Sequence, residues 1–211
     1  MRQKRFWAVG AATLFTLLAC TRPAFATYWG NSWNFPQSPG SPILYEYYVD
    51  STGSDPKISN YVGAAANEWT STSQPADLGS WSSGQITVNV TYQLPNGYDG
   101  LTSISGYGER DCPSVCGQNG YTSATITLGQ TNSTLKQGQG MDTYPSSDVQ
   151  RVIAHEFGHS IGLGHNTSCN SIMRHLTYQG AYSPQAYDLY NLNSLYPNSS
   201  WSPGSNPCPN N

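Results

Sequence analysis

Apolar and polar residues alternate, switch to a helical period and then alternate again through the first half of this chain. "PILYEYYVD" sets Ile43, Tyr45, Tyr47 and Val49 against Leu44, Glu46 and Tyr48, which predicts a strand with two largely apolar faces. "DPKISNYVGAAANEWTS" then places Ile58, Tyr61, Val62, Ala65 and Trp69 at helical spacing, with Asp55 before Pro56 as the start signal. In "QITVNVTYQ" the residues Ile86, Val88, Val90 and Tyr92 share one face and Thr87, Asn89 and Thr91 the other, a second strand. Leu94 to Gly120 has no clear period and reads as a long irregular stretch. "YTSATITLG" restores the alternation, Ala124, Ile126 and Leu128 against Ser123, Thr125 and Thr127.

The second half is helical in pattern. Ser147-Asp148-Val149-Gln150 has capping-box spacing, so a helix is expected to start there, run through His155 and His159 and end near Gly162. A third helix is predicted from Ser183-Pro184, with Leu189, Leu192 and Tyr196 on one face and Pro197 ending it. Thr27 to Ser41 reads as an irregular arm and the last residues as a low-complexity tail. The order of elements is that of an α+β domain.

The N-terminus changes the setting. Arg2, Lys4 and Arg5 precede an uncharged apolar run, Phe6 to Ala19, and Ala24-Phe25-Ala26 is a small-x-small cleavage site. Residues 1–26 are therefore expected to be a signal peptide, and 27–211 one secreted domain of 185 residues, bacterial by its signal. "LLAC" offers a competing reading, a lipoprotein anchored through Cys20. No stretch is long and apolar enough to predict a transmembrane segment. Removing the signal leaves five Lys and Arg against twelve Asp and Glu, so no basic face for nucleic acid is expected. The domain is expected to be a monomer. Cys112, Cys116, Cys169 and Cys208 remain, and an even count in an exported chain suggests two disulfides. Of the three pairings, Cys112 with Cys116 and Cys169 with Cys208 is favoured over a cysteine metal site.

Candidate chemistry is concentrated in "HEFGHSIGLGH". On a helix His155 and His159 project from one face, one turn apart, and can reach a single point beside Glu156. A continuing helix would carry His165 about 240° around the axis and about 9 Å along it, out of reach of that point. The chain must turn, and Gly162 can take the positive φ that ends a helix, with Gly164 adding freedom. Three imidazoles would leave a fourth metal position open, as catalytic zinc requires.

This segment resembles the metzincin signature HExxHxxGxxH, and "NSIMRH" supplies the methionine of a Met-turn at Met173. The resemblance is closest to the matrixin-like branch, and strong from Ser147 to Pro197. It implies a metzincin-type zincin fold: a twisted, mainly parallel sheet with an antiparallel edge strand, an active-site helix, the Met-turn and a C-terminal helix. It also implies a zinc-dependent endopeptidase, with His155, His159 and His165 holding one Zn²⁺, Glu156 as general base and Met173 as an apolar floor. Protein or peptide substrate should bind extended, beside the edge strand expected from "YTSATITLG". His175, two residues past Met173, is a candidate contact to the site.

The chain departs from the matrixin pattern in places. No cysteine-containing inhibitory pro-segment is expected, nor the histidines of a second, structural zinc site. Arg174 and His175 stand where matrixins often have an aromatic and then proline. Asp99, Asp111 and Asp142 are candidate Ca²⁺ ligands, but no loop has EF-hand form. Two rival functions are a catalytically silent zinc-binding secreted protein and a zinc amidase acting on cell-wall or glycan-linked amides. Glu156 argues against the silent protein, because a structural site needs four ligands and no base.

Overall fold

A computed structural model describes residues 43–50, 56–70, 76–80, 84–94, 98–105, 108–109, 119–120, 123–131, 140–166, 169–174, 180–196 and 205–208. In chain order the elements are β1 (Ile43–Asp50), α1 (Pro56–Thr70), β2 (Ala76–Ser80), β3 (Ile86–Gln93) and β4 (Gly100–Ser105). There follow β5 (Gly108–Glu109), β6 (Asn119–Gly120), β7 (Ser123–Thr131), α2 (Ser146–Ser160) and α3 (Ala186–Leu195).

The strands with the clearest alternation occupy the middle of the sheet. Its order is β2-β1-β3-β7-β4, with every pair parallel except β4 against β7. Cross-strand register lines up Val49, Val88, Ile126 and Thr102 in one row, and Val90, Leu128 and Gly100 in another. Val88, Ile126 and Leu128 are fully buried on this face. α1 and α2 pack against each other, α1 also against β2, and α2 also against β7 and β4. α1 buries Ile58, Val62, Ala65, Ala66 and Trp69, so its apolar stripe is a core stripe. Trp69 also donates from Nε1 to the Ala154 carbonyl at 2.8 Å, joining the two helices.

Several sequence expectations need correction. Leu94 to Gly120 is not wholly irregular: it contains β4 and the short β5–β6 pair. β2 has no counterpart in the expected elements. β7 is not the edge strand, because β4 lies outside it. "GLTSIS" hid β4 because its inward positions alternate only as Gly100, Thr102 and Ile104, of which one is a strong hydrophobe. Tyr92 keeps its strand parity but is 72 % exposed, since it lies near the end of β3. α2 begins at Ser146 behind Pro145, with no side-chain cap from Ser147. α3 begins at Ala186, two residues later than expected, because Gln185 and Asp188 form the reciprocal capping box.

Cys169 and Cys208 are joined as a disulfide, with Cα atoms 6.3 Å apart, as the favoured pairing had it. The proposed signal and Cys20, the irregular arm, Cys112 and Cys116 lie outside the described residues.

Trp69 fills the space between α1 and α2 with no exposed surface, so its removal leaves a cavity and takes away the indole donor to Ala154 O. Trp69→Ala should lower the unfolding free energy by about 3–5 kcal/mol. Urea unfolding followed by circular dichroism checks this; a loss below about 1 kcal/mol would mean that the helices do not depend on it.

Candidate metal centre

α2 is buried from Arg151 to its end at Ser160, a stretch that includes five polar side chains. A helix so placed must satisfy those groups internally. His155 and His159 are 1 % and 5 % exposed, which already separates them from solvated histidines.

The helix ends as the glycine pattern requires. Gly162 has φ of 105°, and its N–H donates to His159 O at 2.9 Å. Leu163 N–H donates to Gly158 O at 2.9 Å, completing a Schellman turn. The turn reverses the chain and brings His165 back. His155 Nε2 and His159 Nε2 lie 3.2 and 3.1 Å from His165 Nε2.

Two backbone carbonyls fix the tautomers. His159 Nδ1 is 2.7 Å from Leu163 O, and His155 Nδ1 is 2.7 Å from Ile172 O. Only an N–H satisfies a carbonyl at that distance, so Nδ1 carries the proton and each Nε2 presents a lone pair. Burial, and then the charges of His155 and His165, hold His159 well below the usual histidine range and keep it neutral. With the lone pairs of His155 and His159 facing His165 Nε2 at 3.2 and 3.1 Å, the three nitrogens are spaced as ligands of one ion would be. Tetrahedral zinc at 2.0–2.1 Å from each nitrogen would set them about 3.3 Å apart. The donor set therefore fits zinc, and among the described residues these three histidines are the cluster able to hold a metal.

Glu156 follows His155 on the helix and is 5 % exposed. Its Oε2 accepts from Thr102 Oγ1 at 2.6 Å. Burial pushes its carboxyl up to about 7, against the Thr102 hydrogen bond, and the charge of Asp99 adds to the rise. A cation at the histidines would draw it back down.

Met173 is 1 % exposed beneath the helix. A Cβ on Gly158 would collide with its Sδ and lie 2.9 Å from Trp69, so this glycine is the space the methionine occupies. Asn166 N–H donates to Met173 O at 2.7 Å, tying the Met-turn to the strand-like segment after His165.

Asp188 holds the turn from below, and the sequence reading missed it. Its carboxylate accepts from Ser171 Oγ, from Ile172 N–H at 3.0 Å and from Gln185 N–H at 2.8 Å. Ser171 Oγ in turn accepts from Met173 N–H at 2.8 Å. The residue whose carbonyl orients His155 is thus itself anchored to α3. The spacing of Gln185 and Asp188 was the available signal. Burial pushes Asp188 up to about 6, although all these hydrogen bonds favour the charged form. Of the candidate calcium ligands, Asp99 accepts from Tyr144 Oη at 3.1 and 3.2 Å. The Asp142 carbonyl accepts from Lys57 Nζ, while Asp111 lies outside the described residues, as does His175.

Two helical histidines, a third beyond a glycine turn and a buried methionine below them have the metzincin arrangement. The matrixin family matches residues 55–197, and the chain belongs to that family of zinc metalloendopeptidases. No curated protein matches the chain. Among solved structures, myroilysin is similar at 21 % identity and a TM-score of 0.37, over 66 % of this chain and 54 % of that one. The match thus spans little more than half of the myroilysin chain. High choriolytic enzyme 1, a hatching enzyme zinc-protease from Oryzias latipes (Medaka fish), matches at 11 % and a TM-score of 0.44, over 79 % of this chain and 94 % of that one. The GM1-bound form of the ECX AB5 holotoxin matches at 15 % and 0.42, over 84 % and 83 %.

Asp188→Ala strands three donors and frees the Met-turn. It should weaken zinc binding about 10–100-fold, measured by competition with a chelator, and an unchanged affinity would remove Asp188 from the centre's support. A pH test is separate. With a folded value of about 6 against an ordinary 3.8, proton uptake by Asp188 favours the fold at acid pH. That contribution is complete below about pH 4 and is lost as pH rises through about 6. Wild type should therefore lose up to about 3 kcal/mol relative to Asp188→Asn between pH 4 and pH 7, in paired unfolding curves.

Proposed function

We propose that this chain is a secreted endopeptidase that cuts extended protein or peptide substrates, with Glu156 as general base and His155, His159 and His165 holding one Zn²⁺. One observation carries the reading: three Nε2 atoms converge beside a buried carboxylate one residue along the same helix. Bound there, zinc would supply a Lewis acid that acidifies water and polarises the scissile carbonyl. Glu156 takes the proton of the attacking water on its carboxylate and returns it to the leaving amine. Burial raises the affinity of this carboxylate for the proton, and a cation held by the histidines would lower it again.

Substrate lies along β4, the outermost strand beside Glu156 among the described residues, and adds a strand through main-chain hydrogen bonds. Leu101, 42 % exposed, is an apolar contact on that strand. Export follows from the basic and apolar N-terminal residues, with cleavage after Ala26.

The purified protein should contain about one zinc per chain and cleave an unfolded protein substrate. A chelator should stop cleavage and added zinc restore it. Glu156→Ala should keep the metal and reduce turnover by at least about 10³-fold. A zinc-loaded wild type that cleaves no member of a peptide library would reject the reading.

A further inference from the structure

We propose that Gly100 and Thr102 of the edge strand are positioning residues that seat the two oxygens of the Glu156 carboxylate in different roles. The inference rests on Glu156 acting as the base.

Residues two apart on a strand face the same side. Gly100 pairs with Leu128 and Thr102 with Ile126, so both continue rows that are apolar in the interior of the sheet. At the edge those rows end in a missing side chain and a hydroxyl. Glu156 fits both. A Cβ on Gly100 would lie 2.6 Å from Glu156 Cγ and 2.7 Å from Oε1, well inside contact distance. Thr102 Oγ1 reaches Oε2 at 2.6 Å and the Glu156 main-chain carbonyl at 3.1 Å. Thr102 is 8 % exposed and Glu156 5 %, so water competes little for this hydroxyl.

The oxygens therefore differ. Oε2 is occupied by the threonine proton, and Oε1 rests over the bare backbone of Gly100. Oε1 is left to exchange the proton, and the hydroxyl stops the carboxylate from rotating. The strand proposed to pair with substrate thus also sets the orientation of the base.

A hydroxyl that merely caps the helix carbonyl would affect stability and not turnover, which separates the two roles. Thr102→Val keeps the shape and removes the donor. It should lose about tenfold to a hundredfold in kcat, the scale of a misplaced catalytic group. Its KM should stay within about threefold, with zinc content and melting temperature near wild type. Thr102→Ser should regain most of the loss. Gly100→Ala should lose kcat in the same way, because its Cβ displaces the carboxylate. A crystal structure of zinc-loaded Thr102→Val should show the Glu156 carboxylate turned away from its place over Gly100. Wild-type kcat in Thr102→Val, or an unmoved carboxylate, overturns the proposal while wild type still cleaves. If wild type binds zinc and cleaves nothing, the peptidase reading falls and the seat falls with it.

Discussion

The centre depends on two main-chain carbonyls. Leu163 O and Ile172 O each accept an imidazole Nδ1–H, and so leave the Nε2 lone pairs of His159 and His155 pointing at one place. Without them either tautomer would serve, and a ring could turn its lone pair away. The first carbonyl comes from the turn that ends α2, the second from the turn that carries Met173. Both turns must therefore be held in place for the three histidines to act together.

The chain holds them with buried polar contacts and a cross-link. The glycine turn is built into α2 through Leu163 N–H to Gly158 O. The Met-turn is carried on the Asp188 carboxylate, which gathers donors from Ser171, Ile172 and Gln185. Burying that carboxylate is unfavourable in itself, and its raised proton affinity records the cost. The disulfide from Cys169 to Cys208 pins the segment just before the turn. Closing 39 residues removes about 4 kcal/mol of chain entropy from the unfolded state in the loop-closure account. Gly158 completes the arrangement by omission, since any side chain there would occupy the volume of the Met173 thioether.

The edge strand shows the limits of a hydrophobic pattern. β4 faces the helix with Gly100, Thr102 and Ile104, and two of these signal no burial. They face a carboxylate and not a hydrophobic core, so an apolar alternation would have been wrong for the site. Where a strand serves a polar group, the period that identifies strands elsewhere is weakened by that same service. β7 carries the stronger pattern because one of its faces, with Ala124, Ile126 and Leu128, is buried in the core.

The sequence by itself determined the local features. HExxH places two imidazoles on one helical face, and Gly162 is where the chain can turn, because both follow from backbone geometry within a few residues. The alternations at 86–93 and 123–131 likewise marked the central strands. Only the tertiary structure decided that β4 is the edge, that Thr102 and Gly100 meet Glu156, and that Asp188 carries the Met-turn. Those partners lie 54, 56 and 16 residues away along the chain. A hydroxyl, a glycine and a carboxylate have no period to reveal them. Their roles arise from what sheet register and helix packing set opposite them.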